Sequence, residues 1–167
     1  MKVHVKPLSR IQIRKIANEL REISGFKNIK RFPIVHFIEW VIGDPNSPFN
    51  FEIVEFYEMP ETYAVTDLQT GTIRIREDVY ERAIAGYPRD LFTLFHELGH
   101  CILHQAEDVM FARGDVPAYR NPEWQADCFA AELMAPYHLA RGMSAKQIAK
   151  EFGMSMQAAG IRSEECF

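Results

Sequence analysis

LFTLFHELGHCILHQ, Leu91 to Gln105, reads at helical spacing as apolar almost all the way round, yet His96, Glu97 and His100 sit in its middle. An unpartnered polar group in apolar surroundings costs roughly 2–7 kcal/mol when neutral and more when charged. The stretch therefore predicts a helix whose polar residues are engaged with something. His96 and His100 lie four residues apart, which puts both imidazoles on one face, a turn apart. Glu97 lies about 100° around from His96, within reach of a water held by a metal on that face and badly placed as a ligand. This is the HExxH spacing, whose mechanics are two histidine ligands for zinc and one general base.

Around this helix the chain runs to 167 residues and is 47% hydrophobic, enough for one well-filled core and too short for two domains of ordinary size. The expected division is a main domain over 1–141 and a short helical extension over 142–167 packed on it. A formal net charge of −4 supplies no basic field to hold a polyanion. Cys101, Cys128 and Cys166 are odd in number and lack CxxC spacing, which speaks against a disulfide framework. The opening MKVHVKPLSRIQIRK alternates polar and apolar residues, and no run of about 18 uncharged apolar residues follows. A soluble cytoplasmic protein without a membrane segment is the expectation; oligomeric state is not legible.

Ser9 is placed to cap a helix whose apolar residues Ile13, Ile16, Leu20 and Ile23 recur at three- and four-residue steps, ending at Ser24-Gly25. A second short helix is predicted from Pro33 through Trp40, and GDPNSPFN, Gly43 to Asn50, breaks regular structure. FEIVEFY (Phe51–Tyr57), TYAVT (Thr62–Thr66) and TIRIR (Thr72–Arg76) read as strands of a small antiparallel sheet. The strict alternation of TIRIR, with Ile73 and Ile75 on one face and arginines on the other, suits a half-buried strand near an edge. From Glu77 onward the pattern is helical: EDVYERAIAG, the HExxH segment, PEWQADCFAAELMAP after a loop, and two short helices from Ser144 broken at Gly153. The fold class is therefore α+β.

A catalytic zinc takes three protein ligands and keeps one position for water, so HExxH needs a third donor. Glu123, with Asp127 four residues on, is one source, although a carboxylate just after Pro122 also suits a helix N-terminus without any metal. His104 continues the i, i+4, i+8 row, but a further turn carries it about 6 Å along the axis, which suits a rim position or a charge at the helix C-terminus. Glu107, Asp108 and Asp115 compete from a loop that lacks the rigid placement of a helix.

With HELGH, a histidine four residues later in HELGHCILH, and EWQADCFAAELMAP, the chain resembles the ImmA/IrrE family of bacterial and phage metallopeptidases over Thr62 to Pro136. The resemblance implies a zincin-like, gluzincin-type domain with a bound Zn²⁺. Its substrate would be a regulatory protein, typically a phage, mobile-element or stress-response repressor. As in the thermolysin-like gluzincins, Glu-x-x-x-Asp makes Glu123 the third ligand and Asp127 the acceptor that orients His96, in keeping with the need of a ligating histidine for a partner at its other nitrogen. Two departures stand out. LMAP replaces the common LLMP, and Gln125 stands where a glutamate is frequent, a position expected to touch nothing catalytic.

The mechanism that follows has Glu97 take a proton from the zinc-bound water and pass it to the leaving amine. TIRIR, if it edges the cleft, would pair with extended substrate. Tyr119, Tyr137 and His138 are open alternatives for steadying the oxyanion. A rival reading is a regulator that binds DNA or protein and keeps the zinc fold without cleavage. Ile148, Ala149, Phe152, Gly153, Met154 and Ala159 fit helix-turn-helix spacing, and Lys146, Lys150 and Arg162 could meet phosphates. Two helices packed on the core explain the same pattern, and the charge balance favours that.

Overall fold

The computed structural model describes every residue from Met1 to Phe167, and its first helix begins where Ser9 predicts. The Ser9 hydroxyl accepts from the Gln12 amide while the Gln12 side chain accepts from the Ser9 N–H, a reciprocal cap that starts α1, Arg10–Ile23. α2, Ile34–Phe37, follows Pro33 and runs on into a π-helical turn, Ile38–Ile42.

The three central strands are β2 (Asn50–Val54), β3 (Ala64–Asp67) and β4 (Thr72–Arg76), hydrogen-bonded in the order β2-β4-β3. β3 and β4 form the expected antiparallel hairpin. β2, however, pairs with β4 in parallel, so the sheet is mixed and TIRIR is its centre, not an edge. The cause is the connection after β2. Instead of continuing to Tyr57 the strand stops at Val54, and a 3₁₀ turn at Phe56–Glu58 starts the chain across the end of β4 to the opposite edge. Arg76 secures that crossing: its guanidinium donates to the Met59 and Pro60 carbonyls and pairs with Asp78 at 2.6 Å. Hence one of the two arginines assigned to the solvent face is buried, whereas Ile73 and Ile75 are fully buried as predicted.

A separate ribbon, absent from the sequence reading, pairs β1 (Lys2–His4) antiparallel with β5 (Met110–Ala112). Strands of three residues carry too little alternation to register as a pattern.

α3 is Glu77–Ile84, and α4, Pro88–Leu103, carries the HExxH residues. Arg82 grips the buried Asp90 with two contacts of 3.1 and 3.2 Å, which fixes the start of α4 against α3. Pro122 occupies the first turn of α5, Pro122–Met134, where its missing N–H is harmless, and the Asn121 side chain caps the Glu123 and Trp124 amides. α4 and α5 cross at Gly99, where an added Cβ would stand 3.2 Å from the Ala126 backbone and the Phe129 ring.

α6 (Tyr137–Ala140), α7 (Ala145–Phe152) and α8 (Met156–Glu165) complete the chain. Gly153 ends α7 in the left-handed region, φ 75°, the break read from the sequence. Ile148, Phe152 and Ala159 join Leu94, Leu98, Phe129 and Leu133 in one apolar core, so the tail helices pack on the rest of the α+β, zincin-like fold. Arg162, counted among possible phosphate contacts, is instead buried and bonded to the equally buried Glu132 at 2.7 and 3.0 Å. All three cysteines are free and buried. No helix is long and apolar enough to cross a membrane.

Candidate metal centre

The α4–α5 crossing decides the geometry of the site. Because Gly99 lets the two helices approach closely, the first turn of α5 lies over the histidine face of α4. His96, His100 and Glu123 then each present a donor atom, all within 4.8 Å of one another. His96 Nε2 is 3.2 Å and His100 Nε2 3.4 Å from the Glu123 carboxylate, and the two Nε2 atoms are 3.0 Å apart. Glu97 is not among these donors.

The second nitrogen of each imidazole is engaged. His96 Nδ1 is 2.7 Å from Asp127 Oδ1, and His100 Nδ1 is 3.0 Å from His104 Nδ1. An Nδ1–H held by Asp127 leaves His96 with a lone pair at Nε2. Two such lone pairs 3.0 Å apart repel unless a cation or a proton lies between them. The electrostatics show the same demand. Burial opposes charging His96, but hydrogen bonds to Asp127 and Glu123 outweigh it and raise its pKa to about 10. Hydrogen bonds from His100 and His96 hold the Glu123 carboxyl well below the usual carboxylate range. Two nitrogens and one carboxylate, with every second nitrogen held, form a donor set that fits a zinc ion with one coordination position left for water.

Glu97 is buried, and its carboxylate is held by a residue that the sequence reading missed: the Thr66 hydroxyl on β3 donates to Glu97 Oε2 at 2.6 Å. β3 is thus the sheet edge nearest the site, whereas TIRIR, whose pairing with substrate was conditional on its edging the cleft, is the central strand. His104, read as a rim residue, is buried between His100 and Gln125, and burial lowers its pKa to about 4. Gln125 was expected to touch nothing catalytic, yet its Oε1 lies 3.0 Å from His104 Nε2. Gln125 sits between Glu123 and Asp127 in the polar first half of α5, so no pattern in the sequence singles it out.

The three oxyanion candidates separate. Tyr119 lies in the short turn Ala118–Arg120 that leads into α5, at the Glu123 end. Tyr137 is covered by the Arg14 guanidinium, itself bonded to Glu132, about 13 Å along α5 from Glu123. His138 Nε2 meets the Lys27 carbonyl. Neither of the last two is brought to the metal cluster. Glu107, Asp108 and Asp115 lie outside it too, Asp108 paired with Lys6 and Asp115 with Lys2.

Among known proteins, the family model Peptidase_M78, described as the IrrE N-terminal-like domain, matches residues 58–164, well over half of the chain and through α7 and α8. No curated protein matches the chain.

Proposed function

Because the chain belongs to the Peptidase_M78 family of IrrE N-terminal-like domains, we propose that it is a zinc-dependent metallo-endopeptidase that cleaves a regulatory protein such as a phage, mobile-element or stress-response repressor. The observation that carries this reading is the convergence of His96, His100 and Glu123 within 4.8 Å across two helices. Those three would hold the ion. Bound zinc supplies Lewis acidity, which acidifies a water and polarises the scissile carbonyl.

The chain's own residues do the rest. Asp127 holds the His96 ring in the tautomer that points a lone pair at the ion. Glu97 takes the proton of the attacking water and delivers it to the departing amine, while the Thr66 hydroxyl keeps that carboxylate from rotating away. β3 pairs only with β4, so its outer edge is free to take an extended substrate backbone beside Glu97. Tyr119 keeps its candidacy for the oxyanion.

The test is metal analysis of the purified protein, followed by incubation with the repressor encoded beside its gene. Wild type carries one zinc per chain and cuts the repressor; Glu97→Gln keeps the zinc and loses cleavage by at least about a hundredfold. Undiminished cleavage by Glu97→Gln, or a wild-type protein that retains no zinc, overturns the reading.

A further inference from the structure

We propose that Gln125, acting through His104, is a positioning residue that fixes the tautomer and ring orientation of His100. The inference rests on the reading of His100 as a metal ligand through Nε2.

Gln125 is fully buried, and its Nε2 lies 2.8 Å from the Lys6 carbonyl and 2.7 Å from the Tyr119 carbonyl. Carbonyl oxygens only accept, so the NH₂ group must face them; the flipped amide would set oxygen against oxygen twice. The Gln125 carbonyl therefore faces His104, 3.0 Å from Nε2, and His104 Nε2 must carry a hydrogen. A neutral imidazole has one ring hydrogen, so His104 Nδ1 is a bare lone pair. Only His100 Nδ1 stands against it, at 3.0 Å, and must donate. His100 is left with its lone pair on Nε2, the atom that faces His96 and Glu123.

Each link has one possible polarity, and the direction is set by two main-chain oxygens that never change protonation. One belongs to the segment between β1 and α1, the other to the turn before α5. The two ligand histidines are thus oriented by different means: His96 by the exposed carboxylate of Asp127, His100 by a neutral relay sealed in the interior.

Two substitutions and their combination separate this role from a merely structural one. Gln125→Leu and His104→Leu each break the relay, from opposite ends of the same hydrogen bond. Zinc affinity of the metal-free proteins, read by competition with a chromophoric chelator, should weaken roughly 10–100-fold in each single variant and no further in the double variant. The d–d spectrum of the cobalt-loaded protein should shift in all three. Losses that multiply in the double variant, or no loss in either single variant, overturn the proposal.

Should Gln125→Leu fail to fold, long-range proton–nitrogen NMR of the wild-type zinc protein decides: a hydrogen on His104 Nε2 supports the relay, and one on Nδ1 sinks it. Failure of the metal reading itself looks different, because wild type and His100→Ala would then bind zinc equally poorly.

Discussion

At Thr66 a single hydroxyl decides how Glu97 is presented to the cleft, since the carboxylate's shortest bond is the 2.6 Å contact from that residue. Thr66→Val should leave zinc content unchanged while lowering kcat about tenfold or more, as expected when a proton acceptor loses its aim. A matching loss of zinc would mean that the residue supports the fold and not the base. His96 makes a second prediction. Its pKa in the metal-free protein is raised to about 10 from an ordinary 6.5, so between those pH values the folded chain holds an imidazolium that zinc must deprotonate. Zinc uptake should therefore release a proton near pH 8, read as a dependence of calorimetric heat on buffer ionisation enthalpy, and affinity should climb with pH up to about 10. The same charge stabilises the metal-free fold fully below about pH 6.5, and that contribution fades as pH rises through about 10. Heats independent of buffer would contradict the assignment. His96, Glu97 and His100 were legible because one helical period relates them. Thr66 and Gln125 were not, because their partners lie 31 and 21 residues away and a bond between distant segments leaves no periodic trace.

Among the elements, the α4–α5 pair carries the site, and Gly99 sets how near the helices come. Replacing it with Ala gains up to about 1 kcal/mol of helix propensity. The new Cβ, however, would sit 3.2 Å from the Ala126 backbone and the Phe129 ring, and overpacking of this kind costs typically 1–3 kcal/mol. The second effect should win. Gly99→Ala is expected to lower the melting temperature and weaken zinc binding together, as α5 is pushed off and Glu123 withdraws. A raised melting temperature with intact zinc affinity would show that the crossing has slack. Helix positions were readable from caps and spacing, down to the Ser9 and Ser144 caps. The strand pairing was not: parallel β2–β4 alignment depends on where Val54 stops and how Arg76 fastens the crossover, and both are settled by contacts between segments.

For the molecule as a whole, the Arg162–Glu132 pair joins the last helix to the C-terminal turn of α5. Removing one partner of a buried pair leaves an uncompensated charge and costs about 3–5 kcal/mol. Arg14 still reaches Glu132 at 3.2 Å, so Arg162→Met should fall at the low end of that range in urea unfolding, and Glu132→Gln added to it should recover part of the loss. A neutral Arg162→Met would mean that the tail is only loosely attached. Charge balance alone favours a packed tail, but it leaves Arg162 free to meet phosphates, because a helix's buried face is chosen by what lies beneath it. One further consequence concerns the unpaired outer margin of β3. A sheet margin accepts only polypeptide already drawn out straight, so a tightly folded target would have to fray locally before it reached Glu97. On this account susceptibility is set by how often a target's linkers come loose as much as by the residues flanking the cut.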